Sequence, residues 1–257
     1  MSIHRDDLQH WLGQLLACDR YSDYCPNGLQ LQGQTQVRHI VTGVTASLAL
    51  IKAAIERGAD TLLVHHGWFW KNEDPCIVGM KHQRIALALA HQLNIFAYHL
   101  PLDGHPVYGN NTQLGHVLGL EPDHDDEGNL LRVGPQNLIQ LGHLPQPLSL
   151  QEFAGQVHQA LQRKPTFVGN PQQKISSVAW CTGGAQGFMP TAIEAGVDLY
   201  LTGEASEHSF HYAQETDTAF MAAGHHATER YGVKALGEHI AQQFPVQVEF
   251  IDIDNPF

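Results

Sequence analysis

Short apolar runs alternate along the chain with longer stretches in which apolar residues recur every three or four positions. The first pattern reads as buried strands and the second as amphipathic helices. An opening helix over about residues 5–18 gives way to YSDYCPNGLQLQG, whose Pro and Gly forbid regular continuation. HIVTGVT then reads as a strand and LALIKAAIER as a helix, N-capped by Ser47 and stopped by Gly58. TLLVHHG is the next strand, RIALALAHQLN a helix from Arg84, and IFAYH a third strand stopped by Pro101. The acidic, turn-rich EPDHDDEGN, residues 121–129, marks a boundary between lobes 1–125 and 126–257. Beyond it come LIQLGHL, the helix SLQEFAGQVHQALQ, the strand SVAWCTGG, the helix MPTAIEA, the strand DLYLTGE, a helix around SFHYAQE and the strand AFMAAG. VQVEFIDID alternates as a half-buried strand does. This succession predicts an α/β fold built on mixed, mostly parallel sheets.

Two passages repeat, which predicts that the lobes are related by internal duplication. AIERGADTLLVHHG aligns with AIEAGVDLYLTGE at an offset of 138 positions, placing His66 opposite Glu204. HLPLD and GHHATE each carry a histidine followed four residues later by a carboxylate, His99 with Asp103 and His225 with Glu229, at an offset of 126. The first copy therefore holds 12 extra residues within about residues 67–83, beginning beside His65 and His66 and rich in aromatics and lysines. A lid or pocket wall is expected there.

Imidazoles and carboxylates recur where predicted strands stop, and in open α/β sheets ligands collect at the carboxyl ends of strands. His65, His66, Asp103 and His99 come from the first repeat and His225 and Glu229 from the second. That inventory is the donor set of a binuclear metal site, expected in the cleft between the repeats. If GHHATERYG enters a helix at about His226, Glu229 lies one turn beyond His225 and both face one point while His226 points elsewhere. In HLPLD the proline is expected to exclude a helix, so His99 and Asp103 converge through a tight loop, with Asp103 the stronger candidate. His65 and His66 can both turn inward only where the strand breaks at Gly67.

Composition narrows the partners. A formal charge of −12 argues against a nucleic-acid backbone, which demands clustered Lys and Arg. No apolar run approaches the ~20 residues needed to span a bilayer, and MSIHRDDLQHW lacks the apolar region of a signal peptide, so a cytoplasmic protein without a membrane partner is expected. Cys18, Cys25, Cys76 and Cys181 form no C-x-x-C pair and predict reduced thiols. Trp68, Phe69 and Trp70 can stack on a purine or belong to the core, and Lys71, Lys81, Arg84 and Arg230 can meet phosphates or be surface charges. The Gly-rich TGGAQG is too short and common a pattern to establish phosphate binding.

NGLQ, VTGVTAS, VHHGWFWK, HLPLD, YGNN, WCTGG, TGE and AGHHATERYG, spread over residues 27–254, resemble the signature segments of the GTP cyclohydrolase 1 type 2 family, the NIF-three-like proteins. The resemblance implies two intertwined α/β lobes, a toroidal homohexamer, and two divalent metal ions per subunit. Carried onto matching positions, the ligands are His65, His66, Asp103, His225 and Glu229; His99 remains an open sixth. Zinc, manganese, iron, nickel and cobalt all suit these donors. Two such ions can activate a water and polarise the bond it attacks. The implied reaction is hydrolysis at C8 of GTP or of a related nucleotide, with Glu204 either a proton shuttle or a solvated carboxylate. A metal-stabilised scaffold and a metallophosphoesterase are the alternatives.

Overall fold

The computed structural model describes all 257 residues, and the chain folds as two compact units. The first comprises residues 1–108 and 232–254, the second 109–231 and 255–257. The division therefore falls at Tyr108 and Gly109 rather than at the acidic turn, and the chain returns to its first unit near its end. The physical reason is local: Asp125 accepts from the backbone N–H groups of Glu127 and Asn129, closing residues 121–133 into a turn whose flanks pair with the Ile139–Ser149 strand. That turn is part of the second unit's sheet and not a linker.

The first unit is built on a five-stranded sheet in the order Gln247–Phe250, His39–Thr45, Thr61–His66, Asn94–Ala97, Gly28–Leu31. The first four strands run parallel and Gly28–Leu31 closes the edge antiparallel. Strand alternation sorts neighbouring residues to opposite faces. Val41, Leu62, Val64 and Ile95 pack with Leu50, Ile51 and Ala54 of the Leu48–Glu56 helix and Ile85 and Ala88 of the Gly79–Ala90 helix. Ile40, Leu63 and Phe96 pack with Leu8 and Leu12 of the Arg5–Leu15 helix and with Val233, Leu236 and Ile240. The result is a three-layer α/β/α arrangement in which both faces of the parallel strands are covered. Ser47 caps its helix by accepting from the Leu50 N–H at 3.2 Å, and Gly58 follows the last turn at φ +71°. The Gly79–Ala90 helix begins five residues before Arg84, ahead of the apolar periodicity that Ile85 opens, because its first turn buries no apolar residue.

The second unit holds a seven-stranded sheet: Thr166–Val168, Ala219–Ala222, Leu199–Thr202, Lys174–Trp180, Ile139–Ser149 and Glu121–Pro122 in order, with Arg132–Val133 also on Ile139–Ser149. Only its three central strands run parallel, so this sheet is mixed rather than mostly parallel. Arg132–Val133 joins Ile139–Ser149 through a short antiparallel connection that needs no crossover helix, whereas the link from Ile139–Ser149 to Lys174–Trp180 carries a helix. The Leu150–Leu161 helix starts in a capping box between Ser149 and Glu152 and lays Leu150, Phe153, Val157 and Leu161 against Val178, Leu199 and Met221. A helix not expected from periodicity, Asn110–Leu118, packs here too: Trp180 Nε1–H donates to the Asn111 carbonyl, while Asn111 Oδ1 accepts from the Thr182 N–H, both at 2.8 Å. The His225–Gln243 helix begins in this unit, and its residues from Gly232 onward belong to the first. No helix is long and apolar enough to cross a membrane.

Candidate metal centre

In the first unit, His65 and His66 end the Thr61–His66 strand, and residues 98–103 follow the C-terminal end of its parallel neighbour. The two rings lie 4.5 Å apart between centroids, so the strand end does bring adjacent imidazoles together. His65 is fully buried. Its Nδ1–H donates to the Tyr98 carbonyl at 2.9 Å, which fixes the tautomer and presents Nε2 as a lone-pair donor 3.5 Å from Asp103 Oδ1. His66 Nδ1 shares a 3.1 Å hydrogen bond with the hydroxyl of Thr45, its register partner on the adjacent strand.

Asp103 does not reach its place through an open loop. Leu100–Asp103 is a single helical turn with Pro101 at its start, where the missing N–H costs no hydrogen bond. The turn is held from the loop before Gly28: Asp23 Oδ2 accepts from the Leu100 N–H at 2.9 Å and Asn27 Oδ1 from the His99 N–H at 2.8 Å. Asp23 Oδ1 also takes the His99 Nδ1–H at 2.7 Å. Burial alone would raise the Asp23 carboxyl, yet the bond and charge of His99, with help from Asn27 and the Tyr24 N–H, hold it down at about 2. His65, His66 and His99 offer ligand nitrogens within 4.8 Å of one another, so His99 stands with the pair as a third imidazole.

The expected wall beyond Gly67 is only partly formed by aromatics. Trp68 is core, its indole N–H donating to the Ala46 carbonyl at 3.0 Å, and Phe69 lies under Lys81 at 5.2 Å. Trp70 alone faces the imidazoles, 5.0 Å from His99 and 5.9 Å from His66 between centroids. Lys81 is engaged by Glu73 at 3.3 Å and the Asp74 carbonyl, and Arg230 donates to the Leu161 carbonyl at 2.8 Å. Both serve local structure.

In the second unit, His225 opens its helix one residue earlier than expected, directly after the Ala219–Ala222 strand and its turn. His225 Nε2 lies 3.2 Å from Glu229 Oε2 one turn on, and Nδ1–H donates to Glu204 Oε1 at 2.6 Å. Burial would lower this imidazole's pKa, but the bonds and charges of Glu229 and then Glu204 push it up to about 9. Glu204 is an exposed carboxylate, its side chain 46% accessible, that is held by this bond and orients His225, as carboxylates behind metal-binding histidines do. His226 donates its backbone N–H to the Phe257 carbonyl at 3.0 Å.

Gly183 of WCTGG makes this pair possible. At φ +67° it passes so close that a Cβ would strike the Glu229 carboxylate and lie 3.1 Å from His225 Nε2. Thr228, two residues from His226, fixes the approach by accepting from the Gly183 N–H at 3.0 Å, and Thr202 donates to the Gly183 carbonyl at 3.1 Å. Asp23, Asn27, Gly183 and Thr228 escaped sequence reasoning as supports. Only the recurrence of Gly beside the histidine motifs hinted at close approach.

The donor chemistry fits borderline divalent cations: imidazole nitrogens on oriented rings beside buried carboxylates, while burial pushes the Cys25 thiol up to about 12 and keeps it protonated.

Among known proteins, the family model described as Duf34/NIF3 (NGG1p interacting factor 3) matches residues 3–256. A Pseudomonas aeruginosa protein named GTP cyclohydrolase 1 type 2 homolog is 51% identical over 256 residues, covering 100% of both chains. A Neisseria meningitidis serogroup B protein of the same name is 52% identical with the same coverage. The solved structure of protein ybgI, described as of unknown function, superposes with a TM-score of 0.94 at 43% identity, over 99% of this chain and 100% of that one.

Proposed function

The chain belongs to the Duf34/NIF3 family, and from that footing we propose that it is a hydrolase dependent on two divalent metal ions, acting on a purine nucleotide or related small molecule, with GTP ring opening as the specific reaction. His65, His66, Asp103, His225 and Glu229 are the proposed ligands. The observation that carries this is the same small device in each unit: an imidazole whose Nδ1–H is tied, to the Tyr98 carbonyl or to Glu204, and whose Nε2 is offered beside a carboxylate, Asp103 or Glu229. Tying Nδ1 fixes each ring so that Nε2 faces its carboxylate, and at His225, whose pKa is pushed up to about 9, an ion would take the place of the Nε2 proton, so metal binding there would release a proton.

Bound ions would supply Lewis acidity and an activated water. The chain's own contribution is position and exclusion. His65 is sealed from solvent and Asp103 and Glu229 nearly so, which strengthens every electrostatic interaction around them. Glu204 sets the angle of His225, and Asp23 sets that of His99, which stands by the ring pair as an orienting imidazole. Trp70 offers a flat apolar face next to these imidazoles, suited to a planar base.

The test is metal content together with GTP turnover, for wild type and for His65→Ala and Glu229→Ala, following both the ultraviolet change of ring opening and phosphate release. About two metals per subunit and ring opening that vanishes in both variants is the expected result. Phosphate release without ring opening would replace the cyclohydrolase by a phosphoesterase. Full metal occupancy with no turnover of either kind would favour a scaffold, and failure to bind added ions would overturn the metal reading itself.

A further inference from the structure

The second unit contains a cavity of about 440 Å³ beside His225, within the range that small-molecule sites occupy. Its walls are Arg163, Thr166, Glu204, Ala222, His225 and Phe257. Ala222 keeps the floor low, Phe257 gives an apolar edge, and Thr166 adds a hydroxyl on the edge strand.

Arg163 is the unusual member. This chain has 14 Lys and Arg against 26 Asp and Glu, yet no carboxylate pairs with this guanidinium. Its one protein hydrogen bond runs from Nε to the Pro256 carbonyl at 3.0 Å, which anchors the group and leaves the two terminal nitrogens of the fork. The side chain is also seated by the turn that delivers His225. Gly224, at φ +106°, lies so close that a Cβ there would come within 2.6 Å of Arg163 Cδ and 2.7 Å of Nε. The glycine of AGHHATE thus makes room for an arginine as well as turning the chain. Glu204, on the opposite wall, is already engaged by His225 Nδ1 and by Gln186 Nε2, so it does not compete for the guanidinium.

A planar, permanently charged fork, tethered at Nε and open at its end, is suited to bidentate capture of a phosphate. We propose that this cavity is the anion subsite of the reaction centre and that Arg163 binds a phosphate group of a nucleotide substrate. The assignment rests on the hydrolase reading for its location next to His225, but the anion contact stands on Arg163 and its seat alone.

Calorimetric titration of the full-length protein with GTP, guanosine and inorganic pyrophosphate, before and after treatment with chelator, tests it. Arg163→Gln is expected to weaken GTP and pyrophosphate about tenfold or more, the loss typical of a charge-assisted pair, while guanosine binds as to wild type. Arg163→Lys, which keeps the charge without the fork, is expected to fall between, and a thermal melt of each variant checks folding. Unchanged GTP affinity in Arg163→Gln, an equal loss for guanosine, or no binding of GTP to wild type would overturn the proposal. Dependence on Arg163 for pyrophosphate but not for GTP would overturn it too, leaving a site for free anions. Metal content is measured on the same samples: a wild type without metal but with Arg163-dependent GTP binding would sink the metal reading and leave this one standing.

Discussion

Two residues outside the proposed ligand set shape the surroundings of those side chains. Gly183 is one, since its missing Cβ and positive φ admit the Glu229 carboxylate. Gly183→Ala is expected to destabilise the protein by about 1–3 kcal/mol, the range for a strained left-handed residue, and to lower metal occupancy in elemental analysis. Asp23 is the other. Its carboxyl is depressed from 3.8 to about 2, so its contribution is fully present above pH 4 and is lost as pH falls through 2. A depression of this size corresponds to about 2 kcal/mol at neutral pH, and the side chain is too buried for solvent to screen it away. Urea unfolding of Asp23→Ala should show a loss of that order at pH 7, with a shallower decline than wild type between pH 4 and 2.

At the scale of the element, ends were harder to foresee than centres. The apolar runs HIVTGVT, TLLVHH and AFMA are strands, and the Ser47 and Ser149 caps stand where polar residues precede apolar periodicity. Removing the capping box with Ser149→Ala should cost about 1 kcal/mol in equilibrium unfolding, the usual value for a lost N-cap. The one-turn helix Leu100–Asp103 is hidden by its proline, which breaks a helix interior but is compatible with the first position. Asn110–Leu118 was masked because NNTQLGHVL carries few apolar residues and buries polar ones, Asn110, Asn111 and Thr112. The histidine and carboxylate candidates were legible from residue type and from their place at strand ends. Their supports were not, since Asp23, Asn27 and Arg163 act across 61 to 93 positions of sequence and no local pattern announces such partners.

For the whole molecule, the family resemblance implies assembly into a hexamer, and light scattering should then give a mass near six times 28.4 kDa. A monomer mass would remove that expectation without touching the ligand set. The route of the chain through its first unit has another consequence. The strand Gln247–Phe250 completes the sheet against His39–Thr45, and Val233, Leu236 and Ile240 complete one of its cores. During synthesis the ribosome delivers these pieces some two hundred residues after the edge they cover. Until then His39–Thr45 is a bare edge, open to pairing with another chain. The second unit, apart from its last three residues, is drawn from one continuous stretch and has no such wait. Closing the first unit also needs contacts of far longer sequence separation than the second, so pulse-labelled amide exchange during refolding should protect Ile139–Ser149 before His39–Thr45.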